Sequence, residues 1–255
     1  MKQNALKIDQ LSVNYGATPA LWDISLTVPQ KQLVGIIGPN GAGKSTLVKT
    51  ALGLLKPLSG KITFFDQPLH QIKRKIAYIP QKESVDWNFP LTVRELIIMG
   101  RFGKIGLCRR PRHADWEAAE MYINKLDLSS VADRQIGQLS GGQQQKAFVA
   151  RALMQDADVY FFDEPFIGID LGSRATIIHA LKKLREDGKT LFIIHHELSD
   201  VDILFDWIIL LNIRLIACGP KKETFTPENL NAAYGKNYAL FDEALKLSLQ
   251  KKRGF

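Results

Sequence analysis

The chain is expected to fold as an α/β protein whose parallel βαβ units are interrupted by a helical insert. Three observations carry that expectation. Apolar runs of strand length at 33–37, 159–162 and 190–194 alternate with stretches of helical period, as in parallel strands joined by crossover helices. Between them the period changes, with Val93, Leu96, Ile97 and Gly100 falling on one helical face. The 255 residues, 45% hydrophobic and 24% charged, suffice for one large domain or a domain with an inserted subdomain.

The first third reads as short strands at 6–13, 24–28, 33–37 and 62–65, each bounded by turn residues. The third of these ends in Gly38-Pro39-Asn40-Gly41-Ala42-Gly43-Lys44-Ser45, followed by Thr46. The spelling G-x-x-x-x-G-K-S between a buried strand and a helix, here about 44–54, is the context of a polyphosphate-binding loop. Glycines let successive N–H groups point at phosphate oxygens, and the helix adds its positive dipole end. Lys44 supplies a mobile cation for the β- and γ-phosphates, and the Ser45 hydroxyl can ligate Mg²⁺. A nucleoside triphosphate is therefore the expected ligand.

Thr92 is placed to cap the helix that carries Val93 and Leu96. A second helix at 114–126 presents Trp116, Ala119, Tyr122, Ile123 and Leu126 at helical spacing, which reads as core. Helix at 142–154, strand at 159–162, helix at 173–185 and strand at 190–194 complete the alternation. The run 207–211 is broken by Asn212 and Arg214, so it reads as a strand hairpin and not a membrane span. The residues beyond 220 read as a polar, helical tail.

The formal net charge is +8, compatible with nucleic acid, an anionic membrane surface, or a general affinity for phosphate. Arg101, Lys104, Arg109, Arg110 and Arg112 form one basic cluster, and Lys251-Lys252-Arg253 another. Met1-Lys2-Gln3-Asn4 has no apolar stretch behind it, so no secretory signal is expected. Cys108 and Cys218 are too few for a disulfide framework and fit a reducing cytoplasm. With five scattered histidines they make no H-x-x-H or CxxC ligand set, so Mg²⁺ with ATP is the only metal expected.

Two further motifs carry chemistry. The all-apolar strand at 159–162 runs into Asp163-Glu164, and a carboxylate at the C-terminal end of a central strand suits the Mg²⁺ shell. Glu164, one residue on, points elsewhere and can hold an attacking water as general base. Leu139-Ser140-Gly141-Gly142-Gln143 opens a helix, with Ser140 as N-cap and two glycines leaving N–H groups open to an anion. Two γ-phosphate-binding elements in one chain suggest that each ATP is held between two subunits.

In combination these motifs resemble the ATP-binding-cassette family over about residues 5–220, in the family's order and spacing. The resemblance implies a P-loop RecA-like nucleotide-binding core with an antiparallel β subdomain. It places the cassette at 1–220, a helical subdomain inserted at about 81–149, and the tail at 221–255. Tyr15 then matches the aromatic residue that stacks on adenine, and Gln81 the glutamine that senses Mg²⁺ and γ-phosphate. Asp170 sits where the family couples the two sites of the dimer. His196, at the usual His-Asp position although Glu197 replaces the Asp, matches the switch histidine, with His195 the second choice. Lys31-Gln32 and Lys146 depart from the family's usual Gly-Glu and arginine.

The segment Asp86 to Gly103, with Trp87, Phe89 and Pro90, looks like that of the ATPase subunits of manganese, zinc and iron importers. That likeness implies a homodimer on the cytoplasmic face of the cell (inner) membrane. It would be peripheral and would grip a two-copy integral membrane permease through about Asp86–Gly103. An external metal-binding protein would feed the permease, and no nucleic acid partner is expected. An importer of an iron chelate or cobalamin is the alternative, ahead of a non-transport cassette ATPase acting on nucleic acid or ribosomes.

Overall fold

A computed structural model describes residues 4–82, 85–106 and 109–235. In chain order the strands are β1 (Asn4–Tyr15), β2 (Thr18–Pro29), β3 (Leu33–Ile37), β4 (Ser59–Thr63), β5 (Ile76–Ile79), β6 (Val159–Asp163), β7 (Thr190–Ile194), β8 (Trp207–Asn212) and β9 (Arg214–Pro220). The helices are α1 (Lys44–Ala51), α2 (Leu69–Ile72), α3 (Val93–Met99), α4 (Phe102–Ile105), α5 (His113–Lys125), α6 (Gly141–Met154), α7 (Leu171–Glu186), α8 (Val201–Leu204), α9 (Lys221–Thr224) and α10 (Pro227–Tyr234). The chain divides into two compact units: the part up to Gln71 with the part from Ile194 onward, and Ile72–Ile193 between them. Among the described residues no helix is long and apolar enough to cross a membrane.

The first unit contains an antiparallel sheet in the order β2-β1-β4 and a second group, β3-β8-β9. The long β1–β2 pair is broken by bulges near Gln10 and Asp23, whose backbones turn left-handed (φ 48° and 52°). A bulge leaves an N–H outside the ladder. Here serines of the opposing strands take them: Ser25 Oγ accepts from Gln10 N at 2.9 Å, and Ser12 Oγ from Asp23 N at 3.0 Å. The strand β3, buried throughout, pairs in parallel with β8, and β8 turns back antiparallel into β9 as expected from Asn212 and Arg214.

The second unit carries strands in the order β5-β6-β7, with β5 parallel to β6. All five residues of β6 are buried, as its apolar run requires of an inner strand. The helices α3, α5 and α6 pack on one another in the same unit. Thr92 caps α3 reciprocally: its hydroxyl accepts from Glu95 N, and the Glu95 carboxylate accepts from Thr92 N at 2.8 Å. At Gly100 the α3 terminus crosses α6 so closely that a Cβ would meet the Arg151 carbonyl and lie 2.7 Å from Met154 Cβ. Two of the mid-chain basic residues are committed within this unit, Arg101 to Asp115 at 3.1 Å and Lys104 to Asp156 at 2.7 Å.

The one residue of the β8–β9 turn, Ile213, has φ 60°. A β-branched side chain in that region costs about 1–2 kcal/mol, and asparagine tolerates it far better. Ile213→Asn should therefore raise stability by about 1 kcal/mol, seen as a higher urea midpoint at unchanged m-value. An unchanged or lower midpoint would mean that the exposed Ile213 side chain holds more than its backbone loses.

Candidate functional site

In the first unit the phosphate loop is wedged between strands. A Cβ on Gly38 would meet the Leu211 carbonyl, and one on Gly43 would lie 2.5 Å from both the Ala20 carbonyl and Leu21 Cδ2. Gly43 also takes φ 92° as N-cap of α1. Only glycine fits either place. The loop's middle is pinned too, since Ile213 N donates to Ala42 O at 3.0 Å while Ile213 O accepts from Trp22 N at 2.8 Å. The strained turn thus ties the phosphate loop to β2. Pro39, Asn40 and Gly41 form the outer edge, and Ser45 and Thr46 lie in the first turn of α1. Lys44 is buried, its ammonium donating to Gly38 O at 2.8 Å and Pro39 O at 2.9 Å, so its cation lies within the loop's own arc.

The tail also reaches this loop, which no sequence motif announces. Asn212 Nδ2 donates to the Ala233 carbonyl of α10 at 3.0 Å. This seats Tyr234 with its hydroxyl beside the Gly38 backbone, and burial pushes the pKa of that hydroxyl up to about 12. Tyr15 closes the β1–β2 turn with its ring half exposed, leaving a face for stacking.

The paired histidines separate clearly. His195 is 3% exposed, donates its backbone N–H to Ile36 O at 3.1 Å, and packs edge-on against Phe205. Its Nε2 lies 3.2 Å from Asp200 Oδ2. His196 stands in the exposed class beside it, 4.0 Å from Glu197 Oε1. His195 is therefore a core histidine, and His196 has the accessible imidazole. Ligand atoms of His195, Glu197 and Asp200 lie within 4.8 Å of one another, a gathering that spacing alone does not reveal. With its Nε2 on Asp200 and its ring enclosed, His195 locks the turn after β7.

In the second unit Asp163 ends β6 as a nearly buried carboxylate. Tyr78, on the neighbouring β5, bonds to it; burial first, and then the Asp163 charge, push the pKa of the Tyr78 hydroxyl up to about 12. That phenol stays protonated at neutral pH and fixes the carboxylate by donating to it. Glu164 follows with φ 53°, a strained conformation for a non-glycine residue. The kink swings its carboxylate to Gln81, whose Nε2 donates to Glu164 Oε2 at 2.9 Å.

The Ser140-Gly141-Gly142-Gln143 turn opens α6 with a full capping box. Ser140 Oγ accepts from Gln143 N at 3.3 Å, and Gln143 Oε1 accepts from Ser140 N at 3.0 Å. Asp170 caps α7 in turn, its carboxylate accepting from Ser173 N at 2.8 Å and Ser173 Oγ at 2.7 Å. A Cβ on Gly142 would meet Ser173 Oγ and lie 2.6 Å from Asp170 Oδ2, so the two helix starts touch through a glycine. Lys146, where the family prefers arginine, is buried and reaches the Asp127 carbonyl at 3.4 Å.

Trp87 and Phe89, expected together at a partner surface, part company. Trp87 packs on Phe148 of α6 with ring centroids 5.1 Å apart, whereas Phe89 is 55% exposed.

The sequence profile of the ABC transporter family matches residues 21–167. The chain belongs to that family. Its relatives include the manganese transport system ATP-binding protein MntB of Bacillus subtilis, 49% identical over 90% of this chain and 92% of that protein. A probable metal transport system ATP-binding protein of Chlamydia pneumoniae is 48% identical over 97% and 95%. The zinc transport system ATP-binding protein TroB of Treponema pallidum is 45% identical over 91% and 87%. Among solved structures, an ATP-binding cassette of an ABC transporter in its ADP conformation superimposes with a TM-score of 0.75. It is 27% identical and covers 91% of this chain and 98% of its own. The ABC fold therefore accounts for the mixture of parallel and antiparallel strands.

The contact at Gly142 gives a stability prediction. Asp170→Ala should cost about 1 kcal/mol by loss of the α7 cap. Gly142→Ala should cost more, and part of that loss should be recovered when both changes are combined, because the carboxylate is gone and the Ser173 hydroxyl it held is free to turn away. Denaturant unfolding of the four proteins reads this coupling directly, and strict additivity would contradict the contact.

Proposed function

We propose that this ABC-family chain is the ATP-hydrolysing subunit of an importer of a divalent transition metal, acting with a membrane permease. The observation that carries the reading is the pairing of a seated phosphate loop with a second, capped helix start at Ser140–Gly142 in one chain. The likeness to proteins named for manganese and zinc transport supplies the cargo class.

In this reading two copies associate head to tail. The phosphate-loop N–H groups, Lys44 and Ser45 take the triphosphate, and Tyr15 stacks on the base. Gly141 and Gly142 of the other copy offer their N–H groups to the γ-phosphate, with Ser140 and Gln143 holding that helix start in shape. Ser45, Gln81 and Asp163 would hold Mg²⁺. All three donors are oxygens and one is a buried carboxylate, the set that a hard divalent cation takes. Because Gln81 gives its N–H to Glu164, its carbonyl oxygen is the end that a cation would take. The metal's chemistry there is to neutralise phosphate charge.

Glu164 acts as general base toward the attacking water, in a position enforced by its strained backbone and the Gln81 bond. His196 donates to the developing charge on the γ-phosphate. Closure follows from the higher affinity of ATP for the paired state, and product loss reverses it. Phe89 and the segment up to Gly103 face the permease, so the subunit works as a peripheral protein at the membrane. The transported metal stays outside this chain, delivered by an external binding protein.

Uptake of manganese, zinc and iron, compared in a strain lacking this subunit, tests the reading. The wild-type chain should restore uptake of at least one of these metals. The Glu164→Gln variant should restore none, while retaining ATP binding and losing about 10²–10⁴ in hydrolysis rate. Restored uptake with Glu164→Gln, or rescue of none of the metals by the wild type, would contradict it.

A further inference from the structure

Next to Gln81, Lys82 reaches the Ser140–Gln143 turn, the signature turn from here on. A Cβ on Gly141, the first residue of α6, would lie 2.9 Å from Lys82 Nζ and 3.0 Å from the Gly168 carbonyl oxygen. The same ammonium sits 5.8 Å over the Trp87 ring, and the Trp87 indole N–H donates to the Lys82 carbonyl at 3.0 Å. Among the described residues the Lys82 ammonium meets no carboxylate. Around it stand an aromatic face, the start of a helix and, beside the same glycine, the Gly168 carbonyl.

That placement sets a full cation beside a helix start with a backbone carbonyl, and among the described residues no carboxylate, to offset it. The N-terminus of an α-helix carries about half a positive charge, and a cation beside it is repelled unless an anion joins them. Acidic residues are what helix starts attract, and none stands in the first turn of α6. Two positive groups converging on one glycine describe a receptor for a phosphate oxygen, with N–H donors on one side and an ammonium on the other.

Resting on the head-to-tail reading, we propose that Lys82 is a phosphate-binding residue of the signature half-site. Its ammonium meets the γ-phosphate of the nucleotide carried by the second copy at Gly141. Trp87 links this cation to the rest of the unit, because its ring packs on Phe148 and a Cβ on Gly137 would lie 2.7 Å from its carbonyl oxygen. Arrival of the phosphate therefore draws on a lysine whose backbone and side chain both bear on Trp87. Trp87 in turn lies two residues from the exposed Phe89.

The test uses Glu164→Gln as parent, with ATP-dependent dimerisation followed by sedimentation velocity. Adding Lys82→Met or Lys82→Gln should raise the ATP concentration for half-maximal dimerisation about tenfold or more, and Lys82→Arg should stay near the parent. ATP affinity of the monomer, measured at protein concentrations below pairing, should change less than about twofold, since a charge-assisted bond lost there would cost more. Dimerisation equal to the parent in both neutral variants overturns the assignment. So does an equal loss of affinity in the monomer, which would place Lys82 on its own chain's nucleotide. A parent that stays monomeric at saturating ATP overturns the head-to-tail reading itself, and the role of Lys82 with it.

Discussion

The rest of the structure depends on how little room surrounds the phosphate loop. Gly38 abuts the Leu211 carbonyl and Gly43 abuts Ala20 and Leu21, so strands on two sides determine the loop's path. The Ile213 turn adds hydrogen bonds to Ala42 and Trp22, and α10 holds the adjoining Asn212. A loop that binds phosphate through backbone N–H groups must have those groups aimed before the ligand arrives, or ordering costs consume the binding energy. Here the aiming is done by neighbours that have no charge and no role in chemistry.

The second unit solves a related problem by other means. The element proposed to bind the second copy's phosphate is a helix start, and its geometry is kept by two side-chain caps that meet across Gly142. Its acids are held with equal care. A protonated phenol fixes Asp163, and Glu164 is fixed by its own left-handed backbone and the Gln81 amide. At Ile213 the left-handed backbone is held by its bonds to Ala42 and Trp22, and at Glu164 the side chain is held by Gln81.

Much of this is legible in the sequence because it is local. Thr92 and Ser140 are readable as caps from their position before an apolar helical period, and β6 and β7 from uninterrupted apolar runs. Glycines in the phosphate loop are readable as a motif, although not the carbonyls they abut. What escapes depends on partners distant in sequence. The four-residue strand β5, directly after the basic turn 73–75, is apolar throughout in sequence and pairs with β6 beside it. The link from α10 to the end of β8, beside the phosphate loop, joins residues 212 and 233, neither of which has any motif. The histidine pair needs burial to be told apart. Trp87 and Phe89 look alike as exposed aromatics until Phe148, a long way on in sequence, claims one of them.

The central claim is that the phosphate loop of one copy works with the signature turn of another. Complementation tests it most directly: Lys44→Ala and Gly142→Ala chains, each purified alone and inactive, are mixed and assayed for ATP hydrolysis. In a head-to-tail pair of the two, one site has both lesions and the other has neither. The account predicts that hydrolysis returns on mixing and vanishes when Lys44→Ala and Gly142→Ala lie in the same chain mixed with itself. Two inactive variants that stay inactive together, while still binding one another, would contradict it.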